Sequence, residues 1–215
     1  MNHTMSRRTF MSLSAAGLLT ASLARGEGSA AAPVWEKRLK VANAAEIKLL
    51  QFTDIHFFNG VDKEPEAEKQ KRARTLDDIR RLIDHAKPDM LIITGDMWHN
   101  NPDGRGEEFM AYSIEQCSSW GVPWAFAWGN HDQLSKYAVG HEALTNAAGS
   151  LYAGTEMRGN YVVALESGDG QRFAEIFCLN SRAIGVDRHA RKFVDEAART
   201  LDAQRPRPLR MAAFH

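Results

Sequence analysis

The sequence predicts an α/β fold, in which helices cover the faces of a β-sheet. Two observations lead to this prediction. Short apolar runs alternate with segments whose apolar residues recur at helical spacing, and the first three runs each end in polar residues. In such folds the functional side chains gather at the carboxyl ends of the strands. With 215 residues, 44% of them hydrophobic, the chain is long enough for one domain with a substantial core.

Three strands separated by helices are predicted in the first half of this domain. The strands cover residues 46–53, 89–94 and 123–128, and the middle one is almost continuously apolar, as expected of a strand covered on both faces. A helix is predicted over residues 65–87, because prolines bound it, and a second over residues 107–120. The apolar positions with helical spacing in the first helix are Leu76, Ile79, Leu82, Ile83 and Ala86.

The second half of the chain predicts a hairpin, a helix and a last strand. Residues 161–166 and 172–179 flank a glycine-rich turn, which is typical of an antiparallel hairpin. A helix is predicted over residues 187–204. The strand predicted over residues 209–214 then leads directly to His215.

Residues 1–32 resemble a twin-arginine export signal followed by a short linker. Ser6-Arg7-Arg8-Thr9-Phe10-Met11 precedes an uncharged run of small and apolar residues that ends at Ala24. A membrane-spanning anchor is the alternative, but the run is shorter than the roughly 20 residues that a spanning helix needs. We therefore expect the twin-arginine machinery as an export partner, a periplasmic or secreted protein, and no stable membrane anchor.

Composition limits the partners and the redox chemistry. Lysine plus arginine and aspartate plus glutamate each total 27, so no bulk field favours nucleic acid, and no nucleic-acid partner is predicted. Cys117 and Cys178 could pair in an oxidising compartment, although two cysteines in a domain of this size more often pack as small buried hydrophobes. No disulfide is assigned.

The polar blocks after the first three strands contain metal-binding side chains. They are Asp54-Ile55-His56, Gly95-Asp96 and Gly129-Asn130-His131-Asp132. Asp54 and His56 can place a carboxylate and an imidazole on one cation, a pair that suits Fe, Mn or Zn. Asp96 is expected to bridge two cations, and Asn130 offers a neutral carbonyl oxygen to the second.

Two such cations suit the hydrolysis of phosphate esters. The anionic phosphoryl group repels nucleophiles, and the alkoxide is a poor leaving group. Two cations roughly 3.5–4 Å apart overcome both obstacles, because they supply a metal-bound hydroxide as nucleophile and offset the charge that develops as the ester bond breaks. His131 is expected to protonate the leaving oxygen, and Asp132 to orient that imidazole and hold it protonated. Asn130 and His131 are also the expected contacts of the phosphate-ester substrate.

These blocks resemble the first three signature blocks of the calcineurin-like metallophosphoesterase superfamily, over residues 46–215. The flanking Leu50-Gln51-Phe52-Thr53-Asp54, Lys87-Pro88-Asp89 and Pro123-Trp124-Ala125 resemble a purple-acid-phosphatase-related subgroup. The resemblance implies a metallophosphoesterase domain over residues 33–215, built as a β-sandwich flanked by helices in αββα layers. It also implies two divalent or mixed-valence metal ions.

Two residues depart from the purple acid phosphatases that this subgroup is related to. His99 stands where those enzymes carry a tyrosine, three residues after the bridging aspartate, and His56 stands where they carry a glycine. Together they argue against a tyrosinate-bound ferric centre. His56 instead supplies the imidazole expected in the wider superfamily. His99 then either supports the site from behind the ligands or lies on the surface.

His215 resembles the histidine that the family uses at the end of a later strand. The family's following Gly-His-x-His block is not in the sequence, and Gly140-His141-Glu142-Ala143 lacks the second histidine and lies too early to replace it. The resemblance therefore implies a domain that is incomplete at its C-terminus. The leading expectation is a phosphatase or phosphodiesterase, and the alternative is a non-catalytic or weakly active metal-binding fragment. His141 and His189 are predicted to be surface residues.

Overall fold

The computed structural model describes residues 32–182, 185–202 and 207–215. The predicted export signal lies outside these ranges except for Ala32. No helix within them is long and apolar enough to span a membrane. In chain order the strands and helices are β1 (Glu36–Lys40), β2 (Leu49–Phe52), α1 (Pro65–Ala86), β3 (Met90–Thr94), α2 (Gly106–Ser119), β4 (Trp124–Ala127), α3 (Tyr137–Asn146), β5 (Tyr161–Glu166), β6 (Arg172–Cys178), α4 (Arg188–Leu201) and β7 (Leu209–Ala213).

The strands form two sheets. One has three parallel strands in the order β2-β3-β4, and the other has four strands in the order β1-β5-β6-β7. In the second sheet β5 and β6 form the predicted antiparallel hairpin, while β1 and β7 run parallel to their neighbours. The strand β1 and the helix α3 are additional to the elements predicted from the sequence.

The side chains of β5 alternate between two hydrophobic clusters, as the period of a strand requires. Tyr161, Val163 and Leu165 join the larger cluster, which also contains buried residues of the three-stranded sheet. Val162 faces the other way and packs in a second cluster with Phe193 of α4. The Tyr161 hydroxyl links the two sheets directly, because it both donates to the carbonyl and accepts from the N–H of Phe126.

Helices α1 and α2 pack with the three-stranded sheet. Pro65 occupies the first turn of α1, and Lys87 ends this helix in a left-handed conformation with its N–H bound to the carbonyl of Ile83. Leu76 and Ile79 of α1 lie buried in the same cluster as every residue of β3 except Thr94. The α/β class and the helix-flanked arrangement of the two sheets are therefore confirmed.

Candidate metal centre

The loops that follow β2 and β3 lie side by side at the carboxyl edge of the three-stranded sheet. The N–H of Asp54 donates to the carbonyl of Gly95 at 3.2 Å, and the N–H of His56 donates to the carbonyl of Asp96 at 2.9 Å. These bonds continue the pairing of the two strands beyond their last residues. The first two polar blocks are therefore fixed against each other by backbone hydrogen bonds.

The third block joins this edge through the side chain of Asp96. The carboxylate Oδ1 of Asp96 accepts the N–H of His131 at 2.8 Å, and the carbonyl of His131 accepts the N–H of Asn100, also at 2.8 Å. The structure thus brings all three blocks together, as expected of loops that follow the carboxyl ends of neighbouring parallel strands.

The backbone at this edge is strained. Asp54, His56 and Asp96 have positive φ angles of 52°, 49° and 53°, in the left-handed region that costs a non-glycine residue about 1 kcal/mol or more. Glycines allow the loops to approach one another. A Cβ added to Gly95 would lie 2.6 Å from the Cβ of His215, and one added to Gly129 would overlap Oδ1 of Asp96. The strained backbone conformations therefore occur at the residues whose side chains converge on one point.

Two carboxylates and two imidazoles meet at that point. Ligand atoms of Asp54, Asp96 and His215 all lie within 4.8 Å of one another. The Nε2 atom of His215 is 3.2 Å from Oδ2 of Asp96, and Nε2 of His56 is 3.7 Å from the same oxygen. His56 Nε2 also lies 3.5 Å from Oδ1 of Asp54.

These spacings fit a metal ion. Ligands that hold an ion at 2.0–2.2 Å in tetrahedral geometry are about 3.3–3.6 Å apart. The Asp96 side chain is only 2% exposed, and within the described ranges the ion-pair partners of Asp54 and Asp96 are histidines. A buried carboxylate that lacks a lysine or arginine requires another source of positive charge. A divalent ion supplies it, so the donor set fits the ions that the resemblance implies.

Hydrogen bonds prepare individual ligands for this role. The Nδ1 atom of His215 lies 3.1 Å from the carbonyl of Thr94, which makes Nδ1 the N–H donor and leaves the Nε2 lone pair for a cation. The backbone N–H of His215 donates to Oγ of Ser181 at 2.9 Å. A hydrogen bond from the Thr53 hydroxyl lowers the pKa of Asp54, which favours the ionised form that binds metal.

The structure corrects the role predicted for Asp132. Its carboxylate is fully buried and accepts the N–H groups of Asp96, Met97 and Gly129 at 2.7–2.8 Å. Burial raises the pKa of this carboxyl to about 7, while those N–H donors oppose the shift. Because both oxygens bind backbone groups, Asp132 joins the second and third loops instead of orienting the imidazole of His131.

Asn100 takes the position expected of Asp132. Its Oδ1 lies 2.8 Å from Nδ1 of His131, so this nitrogen donates its hydrogen and Nε2 is the atom left for substrate. Asn100 has a positive φ of 60°, which asparagine tolerates better than most residues. The available sequence signal was an asparagine shortly after Gly95-Asp96, but nothing in its spacing connected it with a histidine 31 positions away.

His99 lies against two histidines of the site, His56 and His131. Its Nδ1 is 3.1 Å from Nδ1 of His56, and its ring stacks on that of His131 with centroids 4.7 Å apart. Burial lowers the pKa of His99, and the neighbouring His131 and His56 add to that shift. Of the two alternatives for His99, this position matches support of the site from behind a ligand.

Asn130 borders an open cleft beside the ligand cluster. The cleft has a volume of about 330 Å³, and Tyr137 and Arg182 form part of its wall. Asn130 is partly exposed and directly precedes His131 in the chain. This cleft is the open approach to the polar edge from the side of α3.

Comparison with known proteins supports the resemblance to metallophosphoesterases. Over 103 residues the chain is 29% identical to "Probable inactive purple acid phosphatase 28" of Arabidopsis thaliana, covering 45% of this chain and 26% of that protein. It is 26% identical over 102 residues to "Phosphatase DCR2" of Saccharomyces cerevisiae, covering 45% of this chain and 18% of that protein. The matches thus span less than a third of each relative. The family model for calcineurin-like phosphoesterases matches residues 47–207, so the chain belongs to the calcineurin-like phosphoesterase family.

Proposed function

We propose that this protein hydrolyses phosphate esters with two metal ions held at the carboxyl edge of its three-stranded sheet. The observation that carries the proposal is the cluster of Asp54, His56, Asp96 and His215 beside the imidazole of His131. Asp96 is the proposed bridge between the ions, and Asn130 the proposed ligand of the second. Iron, manganese and zinc all suit these nitrogen and oxygen ligands. When bound, the ions lower the pKa of a water molecule and polarise the phosphoryl oxygens.

His131 is the proposed proton donor in this reaction. Asn100 holds its Nδ1–H, so Nε2–H of the imidazolium can be given to the leaving oxygen as the bond to phosphorus breaks. The hydrogen bond from the His131 backbone to Asp96 fixes this residue beside a proposed ligand. Asn130, which borders the neighbouring cleft, is the proposed donor of amide hydrogens to a phosphoryl oxygen.

The leaving group provides a specific test of His131. An alkyl phosphate needs a proton on its leaving oxygen, whereas 4-nitrophenyl phosphate does not. We expect His131→Gln to reduce metal-dependent turnover of the alkyl ester by at least about 100-fold and that of the nitrophenyl ester much less. Equal losses on both esters would show that His131 is not the proton donor. If the unmodified protein hydrolyses neither ester in a metal-dependent reaction, the proposed function is overturned.

A second candidate function is metal binding without turnover. Two relatives favour it, because "Probable inactive purple acid phosphatase 28" and "Probable inactive purple acid phosphatase 29", both of Arabidopsis thaliana, are described as inactive. The chain is 28% identical to "Probable inactive purple acid phosphatase 29" over 109 residues, covering 47% of this chain and 28% of that protein. Metal analysis separates the two functions. Two tightly held ions with turnover support hydrolysis, while one loosely held ion without turnover supports the second function.

We also propose export through the twin-arginine pathway to the periplasm or beyond. Arg7 and Arg8, followed by Thr9 and Phe10, are the residues that support this proposal. Replacing both arginines by lysine keeps the charge but removes the pair that this pathway reads. We expect the native protein in the periplasmic or secreted fraction and the double variant in the cytoplasm. An unchanged distribution would contradict this route.

A further inference from the structure

A polar cavity lies on the far side of Tyr137 and Arg182 from Asn130. It has a volume of about 280 Å³, and it shares these two residues with the cleft beside Asn130. The rest of its lining comes from α3, from the segment before β5, from the segment after β6, and from the start of α4. The other lining residues are His141, Thr155, Arg158, Asn160, Asn180, Asp187 and His189.

The lining has an excess of positive charge, although the whole chain has a net charge of zero. Arg158 and Arg182 contribute two permanent cations, and Asp187 is the one acidic residue in the lining that the structure describes. The Oδ1 atom of Asp187 already accepts the N–H groups of His189 and Ala190 at the start of α4. Its charge is therefore partly satisfied by the helix, and the cavity favours an anion.

Hydrogen bonds fix His141 as a donor to this cavity. The Tyr152 hydroxyl accepts the indole N–H of Trp128 at 2.9 Å and lies 2.5 Å from Nδ1 of His141. Because the tyrosine is fully buried, its own hydrogen goes to Nδ1. Nε2 of His141 then carries the imidazole hydrogen, which makes it a donor. His141, predicted to be a surface residue, is thus half-buried with a defined tautomer.

The two arginines are held in place by their neighbours. The guanidinium of Arg182 lies 3.6 Å from the centre of the Tyr137 ring. The backbone N–H of Arg182 donates to Oδ1 of Asn180. The guanidinium of Arg158 donates to Nε2 of His189 at 3.1 Å. A neutral imidazole is a weak competitor for an arginine, so Arg158 retains its capacity to bind an oxyanion.

The segment that carries Arg182 also touches the candidate metal centre. Oγ of Ser181 donates to the carbonyl of Trp128, directly before Gly129, and accepts the backbone N–H of His215. Arg182 follows Ser181 and borders both the cavity and the cleft beside Asn130. A ligand that extends from that cleft past Tyr137 would therefore enter the cavity.

We propose that this cavity binds a second anionic group, a phosphate or a carboxylate, on the leaving part of the substrate. The inference rests on the proposed function, because the scissile phosphate is taken to lie at the metal edge. Arg158, Arg182 and Nε2–H of His141 supply donors that match the oxygens of such a group. The preferred substrate is then a phosphate ester that carries two separated anions, and a simple alkyl phosphate is a poorer substrate.

The kinetic test compares two series of esters with the metal-loaded protein. One series contains bisphosphates of straight alkanediols with two to eight carbons, and the other contains alkyl monophosphates of the same lengths. We expect KM for at least one bisphosphate to be about tenfold lower than for its matched monophosphate. Arg158→Gln should abolish this difference, and Arg158→Lys should restore part of it. Arg81→Gln is the control, because it removes an exposed cation of α1 that pairs with Asp77.

A binding test separates this inference from the proposed function. Inorganic phosphate is titrated into the purified protein while the imidazole resonances of His141 and His189 are followed by NMR. Saturable shifts that Arg158→Gln abolishes and Arg81→Gln retains support an anion site even if no ester is hydrolysed. Absence of these shifts overturns the site. Shifts without any KM advantage for the bisphosphates overturn its role in substrate recognition and assign the cavity to a free anion.

Discussion

The backbone N–H of His131 donates to Oδ1 of Asp96 at 2.8 Å. The other carboxylate oxygen of Asp96 lies 3.2 Å from Nε2 of His215. One side chain therefore fixes the proposed proton donor with one oxygen and faces the proposed metal with the other. One buried carboxylate therefore ties the backbone of His131 to the proposed metal site, while Asn100 orients the imidazole.

Asn100 offers a test of how the imidazole of His131 is oriented. Asn100→Gly removes the acceptor of Nδ1–H, and glycine suits the positive φ of 60° at this position. We expect turnover of an alkyl phosphate to fall by about 10–100-fold, with a smaller loss on 4-nitrophenyl phosphate. Asn100→Asp keeps an acceptor and should recover most of the activity. Full activity in the glycine variant would show that this hydrogen bond does not position His131.

Asp132 should contribute to folding more than to catalysis. Asp132→Ala leaves the buried N–H groups of Asp96, Met97 and Gly129 without an acceptor, so we expect the free energy of unfolding to fall by about 3–5 kcal/mol. Asp187→Ala is the matched control, because this carboxylate also accepts backbone N–H groups but at an exposed helix start. Its loss should cost about 1 kcal/mol in urea denaturation. Equal stability of Asp132→Ala and the unmodified protein would contradict this assignment.

The two cysteines should be inert in the folded protein. Cys117 and Cys178 are free and buried, and burial raises the pKa of both thiols, that of Cys178 to about 12. Reactive thiolate is therefore scarce and inaccessible. We expect a chromogenic disulfide reagent to titrate neither thiol in the native protein and both after denaturation. Rapid reaction of either thiol in the native state would contradict the burial described for it.

His141 should make stability depend on pH. Burial, and next to it the charge of Arg182, lowers the pKa of His141 below the value of 6.5 expected in the unfolded chain. As pH falls through about 6.5, the unfolded state takes up a proton on His141 before the folded state does. The contribution of neutral His141 to the free energy of unfolding is therefore present above this pH and is lost as the pH falls further. Urea denaturation between pH 5 and 8 should show this loss, reduced in His141→Gln. An NMR titration giving His141 a pKa above 6.5 would contradict it.

The sequence predicted the elements of the fold well where local pattern was strong. The hairpin formed by residues 161–166 and 172–178, and the start of α1 at Pro65, appear as expected from turn glycines and from proline at the first helical turn. The strand Glu36–Lys40 was not predicted, because a charged stretch becomes a strand only by pairing with Tyr161–Glu166, far away in sequence. Pairing between distant segments leaves little trace in a local pattern.

The site shows the same division between local and distant information. The blocks with Asp54, Asp96 and His131 were readable because each directly follows a strand. The partner of His131 was not predictable, because Asp132 is occupied partly by the N–H groups of Asp96 and Met97, which lie 36 and 35 residues earlier in the chain. The hydrogen bonds of Asp132 depend on tertiary packing. With Asp132 occupied, Asn100 is the residue that accepts from the imidazole of His131.

The variant Asp96→Asn is the most direct test of the proposed two-metal site. Asparagine tolerates the positive φ of 53° and keeps an oxygen for the N–H of His131, so the variant should fold while losing the charge proposed to bridge the ions. We expect weaker retention of metal, by more than about tenfold, and loss of metal-dependent ester hydrolysis, with Asp77→Asn on exposed α1 unchanged. Metal content and turnover in Asp96→Asn equal to those of the unmodified protein would contradict a metal site built on Asp96.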